Sequence, residues 1–249
     1  MKQGEEQLLV GIHAVSSALK AAARDVAWLR IDAGTRNKRV FELEARARGA
    51  GVKVMRCDAG EMERLSGGQR HQGVIAGFRG GNVMAEGQLA SVLAGFGDEP
   101  LVLVLDEVQD PHNLGACLRT AEAAGVDLVI ISKDRSSGIT PVVRRAASGA
   151  AETLPIIQAT NLARVLRELK KHGVWLAGTS DAAPASLYEI DLSGPLALVM
   201  GGEGKGIRRL TADLCDYLVS IPMAGNVESL NVSVATGVCL FEIARQRRG

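Results

Sequence analysis

The feature that most constrains this chain is a set of short apolar runs, each closed by a turn and separated by segments of helical periodicity. Leu101–Leu105 is the clearest, five residues without a polar position. A strand with one wet face alternates apolar and polar residues, so a run apolar throughout belongs to a strand covered on both faces. Further strands are predicted at Asp127–Ile131, Thr153–Ile157, Val174–Gly178, Leu196–Met200 and Val219–Ile221. Helices are predicted at Asn113–Ala124, at 140–149 with Pro141 in the first turn, at Leu162–His172 and at 231–247. Alternation of this kind predicts an α/β fold with a mostly parallel sheet and helices on both sides. Such sheets bind ligands outside the carboxyl ends of their strands, so the loops leaving those strands are where chemistry is expected.

The front of the chain reads as a separate, small α/β domain. Ile12, Val15 and Leu19 fall at helical spacing, and Val26–Ile31 reads as a strand. Residues 36–49 read as an amphipathic helix with Val40, Phe41, Leu43 and Ala47 inward. A strand at Val52–Met55, a helix at 58–65 with Asp58 as N-cap and Glu61 three positions on, and a strand at Gly73–Phe78 complete it. The breaker-rich stretch 79–98 is expected to be a linker. The domains are therefore expected at 1–78 and 99–249.

Charge is unevenly spread. Residues 1–77 carry 13 Lys and Arg against 9 Asp and Glu, whereas 97–249 carry 15 against 18. A basic front on a slightly acidic back suggests that the front meets a polyanion. Lys38, Arg39, Arg46, Arg48, Arg56 and Arg70 are candidate phosphate contacts, each with an ordinary solvated charge as its alternative. No apolar run approaches the roughly 18 residues of a membrane helix, and the start MKQGEEQLLV is too polar for a secretory signal. A cytoplasmic location, away from membranes, is expected. Cys57, Cys117, Cys215 and Cys239 lie far apart in sequence, with no zinc or redox spacing. They read as small buried thiols, and no metal is expected.

Three strand-end loops carry residues that packing alone does not require. The first runs from Asp106 through Pro111 and Asn113 to Arg119. Asn113 could simply cap the next helix. Arg119, in an otherwise small and apolar helix, suits an anionic partner for its planar fork. The second is Gly201-Gly202-Glu203-Gly204-Lys205-Gly206. It has neither the P-loop nor the GxGxxG spacing, which disfavours ATP and dinucleotides, yet four glycines in six residues imply close backbone approach by a ligand. The third runs from Ile221 through Gly225 to Ser229-Leu230-Asn231-Val232-Ser233-Val234-Ala235. Ser229 or Asn231 could cap the last helix, which leaves the rest of that run unexplained.

In order, these loops read DxxxxPxNxGxxxRTAxxxG, GxEGxG and IPMxGxxxSLNVSVA. Together they resemble the three signature motifs of the SpoU (TrmH-type) branch of the SPOUT methyltransferases. GIHAVSSAL near the amino end and HQGVIA at 71–76 are similar to the substrate-binding domain of the 23S rRNA guanosine-2′-O-methyltransferases, so the resemblance spans nearly the whole chain. It implies an S-adenosyl-L-methionine-dependent enzyme that methylates a ribose 2′-hydroxyl, with a guanosine of 23S rRNA as the nearest substrate and tRNA as the alternative. It further implies a deep trefoil knot in the second domain, a homodimer, and an RNA-binding first domain. By motif matching, Gly201, Ile221 and Leu230 would contact the cofactor, and Asn113, Arg119, Glu203, Ser229 and Asn231 would form the catalytic set. A 2′-hydroxyl acceptor excludes DNA. A non-catalytic RNA-binding protein of the same fold is the rival from another class.

Overall fold

The structure is a computed structural model and describes residues 7–21, 23–79, 83–202 and 206–248. It divides into two compact units, Met1–Asn82 with Ala147–Thr153, and Val83–Ala146 with Leu154–Gly249.

The first unit runs β1 (Gln7–Val10), α1 (Ile12–Ala21), β2 (Val26–Asp32), α2 (Lys38–Gly49), β3 (Lys53–Cys57), α3 (Ala59–Ser66) and β4 (Val74–Phe78). Its sheet has the order β1-β4-β2-β3, with β2 and β3 parallel and β4 antiparallel to both its neighbours. Val15 and Leu19 of α1 share one core with Val40, Leu43 and Ala47 of α2 and with Leu29 and Ile31 of β2. Met62 of α3 packs with Cys57 and Ile75 in a second cluster. Asp58 caps α3 by accepting from Glu61 N at 2.8 Å, and Asn37 caps α2 by accepting from Arg39 N at 3.0 Å. Phe41 departs from expectation. It is 42% exposed, because the inward face of α2 is already filled by residues 40, 43 and 47 and position 41 lies one step, about 100°, around the helix from Val40.

The second unit adds β5 (Val83–Ala85), α4 (Leu89–Leu93), β6 (Leu101–Asp106), α5 (Pro111–Ala124), β7 (Leu128–Ser132), α6 (Pro141–Ala147), β8 (Ile156–Ala159), α8 (Leu162–Lys171), β9 (Trp175–Thr179), β10 (Ala185–Ser186), β11 (Leu196–Gly201), α9 (Arg209–Ala212), β12 (Tyr217–Ser220) and α10 (Val232–Gln246). The one-turn helix α7 (Ala150–Thr153) falls within the first unit. All eight strands are parallel, in the order β10-β12-β9-β11-β6-β7-β8-β5. Residues of β6, β7 and β11 are fully buried, as their unbroken apolar runs require. Leu162, Val165, Leu166 and Leu169 of α8 close one face of the sheet, and α10 packs on α5 and β11. Each buried Leu or Ile side chain contributes about 1.5–3 kcal/mol of transfer free energy.

Two regions differ from the sequence expectation. Residues 83–93, read as linker, supply β5 and α4; β5 pairs with β8, and Glu86 accepts from Thr160 N and Asn161 N at the start of α8. Thr153, read as the start of a strand, ends a helical turn, and the strand begins at Ile156. The cysteines are free thiols, three of them buried. Among the described residues no helix is long and apolar enough to cross a membrane, and no cluster of metal-ligating side chains occurs.

Candidate active site

From β6 the chain proceeds to β7 on one side, and from β11 it proceeds to β12 on the other. The adjacent carboxyl ends of β6 and β11, where Asp106 and Gly201 are register partners, therefore mark the place where strand order reverses. A crevice is expected there. A cavity of about 670 Å³ opens beside it, at the carboxyl ends of β9, β11 and β12. That volume suits a small-molecule cofactor.

The glycine-rich loop forms one wall. A Cβ on Gly201 would run into the Gly206 carbonyl and the Ile207 amide, and one on Gly202 into the Glu107 carbonyl. These two positions are glycine because backbone passes over backbone. Gly202 and Gly206 form an isolated antiparallel bridge that closes the loop. Beneath it lies an anchor that sequence reasoning missed. Asp106 is 1% exposed. It accepts from Arg208 Nε at 3.0 Å and Thr211 Oγ1 at 2.8 Å, and its second oxygen lies 2.7 Å from Arg208 Nη2. Glu107 lies 3.2 Å from Arg208 Nη1. The hydrogen bond that Arg208 donates to Asp106, aided by both carboxylate charges, raises the Arg208 pKa. The pair ties the exit of the glycine-rich loop to the end of β6. The available signal was an aspartate closing an otherwise apolar run.

The third loop forms the opposite wall. Ile221, Ser229, Leu230 and Asn231 all line the cavity, as does Gly201. Asn231 caps α10, its Oδ1 accepting from Ser233 N at 2.9 Å and Ser233 Oγ at 2.6 Å. Its Nδ2 donates to Asn113 Oδ1 at 3.1 Å, joining the first and third loops. Asn113 is free to make this bond because it does not cap α5. That role falls to Asp110, which accepts from His112 N at 2.8 Å, followed by Pro111 at the first helical position. Arg119, further along α5, is exposed and lies outside the cavity lining. Glu203 lies outside the described residues.

The chemistry of the lining narrows the ligand. Among the described residues it includes Asp181 and Glu228 but no lysine, arginine or histidine. A pyrophosphate would find no cation among the described lining residues. Met200, Ile207, Leu218, Ile221 and Leu230 supply an apolar crevice, and the glycine loop supplies close backbone approach. A ligand with a flat ring whose faces pack on apolar side chains, and with net positive charge, fits this wall. S-adenosylmethionine has both, and Gly201, Ile221 and Leu230 lie where they could hold it.

Comparison with known proteins agrees with this geometry. Residues 100–241 match the SpoU rRNA Methylase family, and residues 8–82 match the RNA 2′-O ribose methyltransferase substrate binding family. The 23S rRNA (guanosine-2′-O-)-methyltransferase RlmB of Xanthomonas campestris is 50% identical over 98% of both chains. The protein of the same name from Ralstonia nicotianae is 52% identical over 98% of this chain and 97% of its own. Among solved structures, the SpoU methyltransferase AviRb of Streptomyces viridochromogenes, in complex with AdoMet, superposes with a TM-score of 0.81. It is 25% identical, and the match covers 98% of this chain and 91% of that one. With a family match over more than half its length, relatives about 50% identical from end to end, and a cavity suited to a cationic adenosyl ligand, this chain belongs to the SpoU rRNA methylase family.

Proposed function

We propose that this chain transfers a methyl group from S-adenosyl-L-methionine to the ribose 2′-hydroxyl of a guanosine in 23S rRNA. The observation that carries the reading is the convergence of the glycine-rich loop and the third loop on one cavity whose described lining holds no cationic side chain, with Asn231 bonded to Asn113 of the first loop at its edge. The substrate assignment rests on relatives of that named activity at about 50% identity over the full chain. End-to-end relatives named for 23S rRNA favour rRNA over the tRNA alternative.

When bound, S-adenosylmethionine supplies a methyl already made electrophilic by its sulfonium. The chain's part is to place the ribose oxygen in line and to ease loss of its proton. Gly201, Ile221 and Leu230 are assigned to the cofactor. Asn113, Arg119, Glu203, Ser229 and Asn231 are assigned to catalysis. Arg119 is assigned as essential to the transfer step, where a positive charge beside the acceptor can stabilise the developing alkoxide and grip the neighbouring phosphate. Asn113, held by Asn231, is assigned to orienting the acceptor, and Ser229 to shaping its surroundings. Glu203 is assigned to fixing Arg119 or an amide of the third loop.

The same reading includes a first domain that binds RNA, a second domain tied in a deep trefoil knot, a homodimer, and a cytoplasmic setting. Val234 and Phe241 of α10, and Val227 before it, stay 52–63% exposed in a single chain, which supports pairing with a second copy. The test is direct. The purified chain, methyl-labelled S-adenosylmethionine and unmodified 23S rRNA are expected to yield one 2′-O-methylguanosine. Label on tRNA, on a base or on DNA would overturn the assignment.

A further inference from the structure

Resting on the RNA-methyltransferase reading, we propose that Phe41, Arg56 and Arg48 of the first unit form a stacking platform for an unpaired nucleobase of the RNA and its adjoining phosphate. The argument starts from an aromatic ring out of place. The chain has only eight aromatic residues, and the core of this unit already closes with Val40, Leu43 and Ala47 of α2. Phe41 instead projects from the outer side of α2 and is 42% exposed. Arg56, on the edge strand β3, lays its guanidinium over that ring, 5.5 Å from the centroid.

The guanidinium is held in place. Glu44, one turn after Phe41 on α2, accepts from Arg56 Nη2 at 2.7 Å through one oxygen and from Arg48 Nη2 at 2.9 Å through the other. Its side chain is 13% exposed, against 43% for Arg56 and 59% for Arg48. One half-hidden carboxylate thus orients two outward guanidinium groups, and the cluster keeps a net positive charge. The same two cations draw the Glu44 carboxyl below its ordinary pKa, so the clamp stays charged at neutral pH.

Exposed ion pairs of this kind contribute little to folding, so the arrangement is not explained by stability. A fixed cation beside an exposed ring is the combination that binds single-stranded nucleic acid. The ring and guanidinium plane stack a base irrespective of its identity, and the free guanidinium donors take phosphate. A duplex would not offer its bases to such a platform, so the occupant is a loop or bulge.

The experiment uses the full chain and measures Kd for a single-stranded fragment of 23S rRNA, a blunt duplex, and S-adenosylmethionine. Phe41→Leu keeps the size and apolarity of the side chain but removes the π-face. It is expected to weaken single-strand binding about ten-fold while leaving duplex binding, cofactor binding and Tm unchanged; Phe41→Trp is expected to retain it. Arg56→Gln is expected to weaken the single strand to a similar degree. Wild-type single-strand affinity in Phe41→Leu would overturn the platform while the enzyme reading stands. An equal loss on duplex would overturn it too, since the ring would then not be reading unpaired bases. An unaltered chain that binds neither RNA would overturn the platform together with the methyltransferase reading.

Discussion

At the scale of single residues, two positions separate the proposed roles of donor and acceptor. Gly201 lines the cavity and on the proposed reading serves only the donor. Adding a methyl there pushes into the Gly206 carbonyl and the Ile207 amide, backbone atoms that cannot rotate away. Overpacking of this sort costs about 1–3 kcal/mol, so Gly201→Ala is expected to weaken S-adenosylmethionine binding by roughly ten- to a hundred-fold in calorimetry. Unchanged affinity would mean that the loop does not hold the cofactor. Arg119 is the reverse case. It lies outside the cavity, so Arg119→Ala should leave cofactor affinity within about two-fold while transfer falls by about a hundred-fold or more, the usual loss when one charge-stabilising donor is removed. Near-normal methylation by that variant would strip Arg119 of its role. Sequence points to these positions because they stand in ordered motifs, Gly201 at the end of β11 and Arg119 in the helix that follows β6. Asp106 and Arg208 were not singled out, because a carboxylate and a guanidinium a hundred residues apart announce no pairing until β6 and β11 lie side by side. Phe41 was misjudged because apolar residues at 40, 41 and 43 cannot all face inward on one helix.

At the scale of elements, the sheet was readable and its edges were not. Unbroken apolar runs gave β6, β7 and β11, and helical periodicity gave α8. The short pieces β5, β10 and α9 escaped because two to four residues carry no periodicity, and each is defined by the neighbour it joins. The link between β6 and α9 is testable. Asp106→Asn keeps the shape but removes the charge facing Arg208. Breaking a buried ion pair costs about 3–5 kcal/mol; with Arg208 46% exposed, water makes up part of the loss and about 2 kcal/mol is expected. The corresponding drop in Tm is about 4–8 °C for a chain of this length, readable by thermal melting. A melt that does not move would show the pair to be incidental. The far end of α10 carries a pH-sensitive clasp. Glu242 is drawn down to about 2 by hydrogen bonds from Arg245 and Gln246, and Gln246 in turn holds Leu192 N and Ile190 O. A carboxyl whose pKa is lower folded than unfolded stabilises the fold above its unfolded value and loses that contribution as pH falls toward the folded one. Stability should therefore decline from about pH 4.5 toward pH 2, and Glu242→Gln should flatten part of that slope in acid denaturation curves.

At the scale of the whole molecule, the two matched families divide the labour that the charge pattern suggests. The basic residues gather in 1–77, where the RNA-binding match lies, while 97–249 are slightly acidic. The cofactor cavity has no lysine or arginine among its described lining residues. Salt should then act on the two ligands differently. RNA held through phosphates releases condensed counterions, and for single strands the logarithm of affinity falls with a slope of about −0.7 per phosphate contact. Three or four contacts predict about a thirty-fold loss between 50 and 200 mM KCl. S-adenosylmethionine, held by backbone approach and an apolar crevice, releases none, so its affinity should stay within about two-fold over the same range. Parallel titrations at four salt concentrations would give both slopes. A flat RNA curve would mean that the positive front is ordinary solvated surface and that recognition runs through the acidic unit. A steep fall in cofactor affinity would mean that the Asp181 and Glu228 carboxylates of the lining, rather than backbone approach and the apolar crevice, hold the cationic donor, and Glu228→Gln would then flatten the curve.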